Sequence, residues 1–110
     1  MAKKSNSLVA SSGNAFADLG LPAAEEKRTK VRLAVAINQI IHKRHLSQTG
    51  AADLLEINQP KVSALANYQL DGFSVERLLR FLNALGRDVE IVVRRKPKSR
   101  KSGKILVTAA

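Results

Sequence analysis

Apolar residues recur at helical spacing through the middle of the chain. Leu33, Ile37 and Ile40 lie three or four positions apart, which predicts a long helix from about residue 23 to residue 44. Further on, three polar residues that commonly cap helix starts each precede an apolar run: Ser47, Asn58 and Ser74. They predict helices over 47–55, 59–67 and 75–85. The pattern therefore predicts a mostly α-helical domain of four or five helices.

The apolar period changes from helical to alternating after Gly86, a residue placed where a helix commonly ends. Val89, Ile91 and Val93 alternate with polar residues, so we expect a strand over 88–94. A lone strand leaves its backbone N–H and C=O groups unpaired. It can pair with its copy in a second subunit or with residues 104–108. We favour the second copy, because the intervening basic linker makes a poor hairpin turn.

The length of the chain allows one domain at most, and its composition and charge divide it into three parts. Residues 1–14 are polar and without periodicity, so we interpret them as a disordered leader. The predicted domain, 15–94, is close to neutral, whereas residues 95–110 with the neighbouring Arg94 contain seven basic side chains and no acidic ones. Such a block is typical of a solvated interaction tail, and polyanions are its natural partners.

Several classes of function find no support in the residues. The chain has no cysteine, which removes disulfides and thiolate chemistry, and no apolar run long enough for a membrane span. His42 and His45 lack a third metal ligand, and no catalytic set of side chains is evident. We therefore expect a non-enzymatic protein of the cytoplasm, associated with the nucleoid, that uses no cofactor or metal and does not bind membranes.

Two short helices separated by a three-residue turn, 56–58, are the feature that points to function. The second helix, about 9 residues long, spans roughly 13 Å and suits a major groove about 12 Å wide. Val62 and Leu65 would face the core. The side chains left to read bases are Gln59, Lys61, Ser63, Ala64 and Asn67, and those expected at DNA phosphates are Ser47, Gln48, Asn58, Tyr68, Arg94, Arg95 and Lys96.

The segment LSQTGAADLLEINQPKVSAL resembles the signature of Xre regulators, the helix-turn-helix proteins of the phage Cro/repressor type. DGFSVERLLRFLNALGRDVEIVV, and SGNAFADLGLP before the first helix, resemble a branch that includes HigA-type antitoxins. The resemblance implies a phosphate contact by Gln48 and base or backbone contacts from Gln59 onward. It differs at Ala64, where many relatives carry a long polar side chain, and at Glu56, where they usually carry glycine at positive φ. The departure at Glu56 leaves two possibilities open: a left-handed residue strained by about 1 kcal/mol, or a turn of different shape.

These observations lead to two hypotheses of different classes. The first is a repressor that binds a palindromic operator in double-stranded DNA as a homodimer, through the helix 59–67. The alternative is an inhibitor that neutralises a partner toxin protein and uses DNA binding to regulate its own operon. RNA binding through the tail is a third possibility, but no aromatic stacking platform accompanies the basic residues.

Overall fold

The structure is a computed structural model, and it describes residues 23–109. This part of the chain contains four helices: α1 (Ala23–Lys43), α2 (Gln48–Leu55), α3 (Gln59–Ala66) and α4 (Val75–Ala84). The four helices lie where the apolar spacing predicts them. The predicted leader, 1–14, and the segment 15–22 lie outside the described residues. None of the helices within 23–109 has the length and apolar character that a membrane span requires.

All three predicted capping residues are confirmed. The side-chain oxygens of Ser47, Asn58 and Ser74 accept hydrogen bonds at 2.9–3.0 Å from backbone N–H groups three residues later. Each such bond satisfies one of the N–H groups that a helix start leaves without an intrahelical partner. The sequence therefore sets the start of α2, α3 and α4 locally.

The four helices all end in the same way, with a left-handed residue just beyond the last turn. The N–H of the following residue then reaches back to a carbonyl five positions earlier, at 2.9–3.1 Å. The left-handed residues are His45, Glu56, Tyr68 and Gly86, with φ of 53°, 58°, 58° and 85°. Three of the four are not glycine, so three of these helix ends are strained by about 1 kcal/mol each.

Within the described residues, one main core takes side chains from all four helices, including Leu55 of α2, and α1 packs most extensively on α4. Its fully buried large side chains are Ile37, Leu65, Leu78 and Leu85. A second, smaller cluster between α2 and α3 consists of Ala51, Ala52 and Val62. The two alanines let the helix pair approach closely.

The chain after α4 has no regular secondary structure in the described residues, so no strand is formed there. No backbone hydrogen bond in this part of the chain joins 88–94 to 104–108, so the hairpin alternative is not formed in the single chain. The strand over 88–94 thus remains a prediction that requires a second copy.

Residues 104–109 return instead to the start of α1. The carboxylate Oε2 of Glu25 accepts a hydrogen bond from the Ile105 N–H at 2.7 Å, and Arg32 Nη1 donates to the Ile105 carbonyl at 3.1 Å. Val107 packs against the main core. This part of the basic tail therefore lies against the helical domain, a contact that the sequence pattern does not predict.

Candidate nucleic-acid interface

The turn between α2 and α3 contains a left-handed residue that is not glycine. Glu56 adopts φ 58° and ψ 46° at the position where relatives usually carry glycine, so of the two possibilities left open by the sequence the structure has the strained turn. Ile57 follows, half-buried, and contacts both apolar clusters. The turn is thereby fixed on its inner side, and it sets the orientation of α3 relative to α2.

Buried contacts on its inner side hold α3. Val62 is 5% exposed and Leu65 is fully buried, as predicted. The side chain of Asn38 on α1 donates a hydrogen bond from Nδ2 to the Leu65 carbonyl at 3.1 Å. At the start of the helix, Gln59 and Pro60 are exposed to solvent. Such a helix presents its first turn outward on a rigid base.

Gln59 is positioned by a side chain of α2. Its amide Nε2 donates a hydrogen bond to Thr49 Oγ1 at 3.2 Å, and both residues are exposed. The contact uses one donor of the amide and leaves its oxygen and its second N–H available. Those two groups match the N6 and N7 edge of adenine. Thr49 is not identified from the sequence, because only the docking of α2 beside α3 brings it to Gln59.

The remaining candidates for base reading have different surroundings. Lys61 is half-buried, and its ammonium donates to the Gly72 carbonyl at 3.3 Å and lies 5.1 Å from the centre of the Phe73 ring. Ala64 packs against the main core, and Ser63 is half-buried. Asn67 is exposed at the helix end, where its Nδ2 donates to the Ser63 carbonyl at 3.0 Å. The side chains in the first turn of α3 are thus more exposed to solvent than those in its second turn.

The candidates for phosphate contact lie mainly at helix termini. Ser47 and Asn58 use their side-chain oxygens as caps, so the hydroxyl hydrogen and the amide N–H groups remain as donors. Gln48 is exposed at the start of α2, and Tyr68 is 44% exposed just after α3. The basic residues Arg94, Arg95 and Lys96 are all exposed. The structure brings the first four residues to one helix pair, whereas the three basic ones lie beyond α4.

A helix pair with a fixed turn, a buried inner side and an exposed first turn of its second helix defines a helix-turn-helix DNA-binding domain. Comparison with known proteins agrees. The helix-turn-helix domain family matches residues 15–94. A solved structure named as an XRE family transcriptional regulator is 62% identical, with a TM-score of 0.77, and the alignment covers 81% of this chain and 100% of that one. Comparison with curated proteins gives no match.

The chain belongs to the helix-turn-helix domain family and is a transcriptional regulator of the XRE type. These matches confirm the resemblance to Xre regulators that the sequence of the α2–α3 segment shows. Proteins of this class are DNA-binding regulators and not enzymes.

Proposed function

We propose that the protein is a sequence-specific repressor that binds a palindromic operator as a homodimer. The observation that carries this proposal is the exposed first turn of α3, which stands on the buried Val62 and Leu65. A rigid helix whose first turn faces solvent can enter a major groove without rearrangement of the domain. The site of action that we infer is the cytoplasm, in association with the nucleoid.

Gln59 is the residue that we assign to base reading. Its hydrogen bond to Thr49 restricts the amide before DNA arrives, so less side-chain entropy is lost on binding. The amide oxygen and remaining N–H then form a bidentate pair with adenine. Ser63 and Ala64 lie further along α3 and Asn67 just beyond its end, and we assign secondary base contacts to all three.

Gln48, Ser47, Asn58 and Tyr68 are assigned to the phosphates that flank the groove. These contacts set the register of the protein on DNA without reading sequence. Arg94, Arg95 and Lys96 add charge beyond α4, and we assign them to the same sequence-independent attraction.

The experiment that tests this proposal compares two glutamines. An operator is first selected from random-sequence duplex DNA, and binding is then measured on it and on a scrambled duplex of equal length. Gln59→Ala should weaken operator binding by about 1–3 kcal/mol and change scrambled binding little. Gln48→Ala, the matched control, should weaken both duplexes by a similar factor.

Selection that enriches no sequence would contradict the repressor proposal as a whole. An equal loss on both duplexes for Gln59→Ala would remove Gln59 as the base reader while leaving other residues of α3 to be tested.

A role in neutralising a toxin is the second candidate, and the exposed apolar side chains of the segment 88–94 favour it. Ile91, Val92 and Val93 are 70%, 59% and 90% exposed, so three consecutive apolar side chains face solvent in the single chain. A second copy or a partner protein can cover it. A small basic reading frame beside the gene, whose product co-purifies with this protein, would support the antitoxin role.

A further inference from the structure

The first turn of α3 has a different neighbour on each of its two sides. Gln59 and Lys61 are two residues apart, so their side chains leave the helix about 200° apart around its axis. Gln59 meets Thr49 of α2 on one side. Lys61 meets Gly72 and Phe73, in the loop before α4, on the other.

A second cation, Arg77 of α4, shares the Phe73 ring with Lys61. The Arg77 guanidinium lies 5.8 Å from the centre of the Phe73 ring and 5.7 Å from that of Phe81, and these two rings meet edge to face at 5.8 Å. Cation–π contacts of this kind hold a cation in place without neutralising it. Gly72 leaves room for the Lys61 ammonium, because a Cβ at that position would lie 3.1 Å from Lys61 Nζ.

Neither cation has an acidic partner in the part of the chain that the structure describes. Within residues 23–109, Lys61 and Arg77 form no ion pair, and the adjacent Glu76 is paired with Arg80 at 2.9 Å. Asp71 lies in the same loop, is exposed and joins neither cation. Two like charges thus contact one aromatic ring, with hydrogen-bond donors to spare and, within residues 23–109, no carboxylate paired with either of them.

We propose that Lys61 and Arg77, held on Phe73, form a phosphate-binding site at the side of α3 opposite α2. The inference rests on the proposed DNA-binding function and extends it. A helix inserted in the major groove has a sugar-phosphate strand on each side. The start of α2 serves one strand through Gln48, and the Lys61–Arg77 pair serves the other. Arg77 thereby becomes a DNA contact that lies outside the helix-turn-helix, and Lys61 contacts phosphate in place of a base edge.

The test uses two arginines on the same helix. Arg77→Gln is compared with Arg80→Gln in the full chain, with Kd for the scrambled duplex measured over a series of KCl concentrations. Each lost phosphate contact lowers the slope of log Kd against log salt by about 0.9. Arg77→Gln should lower the slope by about that amount and weaken binding about tenfold. Arg80→Gln should leave both unchanged, since Arg80 is already paired.

Two further variants separate charge from folding. Arg77→Lys keeps the charge and should retain the parent slope, and Lys61→Met keeps the aliphatic stem but should lose a contact as Arg77→Gln does. The inference is overturned if Arg77→Gln keeps the parent slope, or if Arg77→Lys loses as much as Arg77→Gln. A phosphate contact does not need an operator, so the salt dependence on the scrambled duplex is independent of the repressor test. A protein without sequence preference would refute the repressor proposal. The scrambled duplex would still show whether Arg77 contacts a phosphate.

Discussion

At the scale of single residues, the left-handed Glu56 is where local preference and tertiary structure disagree. A left-handed conformation costs a residue with a Cβ about 1–2 kcal/mol, whereas glycine adopts it freely. Glu56 nevertheless adopts φ 58°, and its N–H and that of Ile57 close the end of α2. The packing of Ile57 between the two apolar clusters supplies the stabilisation that holds this strain.

Replacing Glu56 by glycine should therefore stabilise the protein. Relief of the strain exceeds the extra entropy that glycine gives the unfolded chain, so the free energy of unfolding should rise by up to about 1 kcal/mol. Glu56→Ala, which removes the same side chain but keeps the Cβ, should stay within about 0.5 kcal/mol of the parent. Urea unfolding of the three proteins measures both values. A glycine variant no more stable than the alanine variant would show that the strain at Glu56 does not exceed the entropy cost of glycine.

At the scale of elements, sequence reasoning succeeds where the determinants are local. The starts of α2, α3 and α4 follow from Ser47, Asn58 and Ser74, and the buried face of α3 follows from the spacing of Val62 and Leu65. Thr49, Arg77 and the docking of Ile105 escape prediction, because each acquires its neighbours only when distant segments pack together. The segment 88–94 is predictable only in part. Its alternation of apolar and polar residues is visible in the sequence, but the segment that pairs with it is not.

Antiparallel pairing of 88–94 with its own copy, centred on Ile91, would suit the side chains. In that register Asp88 lies opposite Arg94, and Val89 lies opposite Val93. Opposite charges and β-branched pairs directly across an antiparallel ladder are each stabilising by about 0.2–1 kcal/mol. The pairing would also supply partners for the backbone groups that the single chain leaves unpaired, and it would cover the exposed Ile91 and Val93.

A lysine at the centre of this register should break the dimer. Ile91→Lys places two like charges directly opposite each other, so sedimentation equilibrium should report a monomer where the parent is a dimer. Leu106→Lys is the matched control: Leu106 is 68% exposed on the other extended segment, and its substitution should leave the dimer intact. A parent that is monomeric, or an Ile91→Lys protein that remains dimeric, would contradict pairing through this strand.

At the scale of the whole molecule, the contact between Glu25 and Ile105 changes how the basic residues are held. The seven basic side chains from Arg94 to Lys104 lie between the end of α4 and the docked Ile105, so both ends of the basic segment are attached. A segment held at both ends loses less conformational entropy on meeting DNA than a free tail does. The docking on α1 therefore bears on DNA affinity even though Glu25 itself contacts no DNA in this scheme.

Glu25 gives this attachment a pH dependence with a definite sign. The hydrogen bond from Arg28, followed by that from the Ile105 N–H, holds the pKa of the Glu25 carboxyl below its usual range, although burial acts in the opposite direction. A carboxyl whose pKa is lowered by folding contributes stability that is complete above its unfolded pKa of about 4.3. That contribution is lost as the pH falls through the lower, folded pKa.

Acidification should therefore release residues 104–109 from α1 in the parent, and Glu25→Gln should remove this dependence. We expect the free energy of unfolding to fall more steeply below about pH 4.3 in the parent than in Glu25→Gln, because only the parent must protonate a carboxylate that the fold holds ionised. Amide exchange at Ile105 reports the local attachment in the same pH series.

Glu26→Gln is the matched control, since the neighbouring Glu26 makes only a looser pair with Lys30 at 3.8 Å. The pH dependence of its free energy of unfolding should follow that of the parent. Parallel curves for the parent and Glu25→Gln would mean that the Glu25 carboxylate does not hold the C-terminal segment.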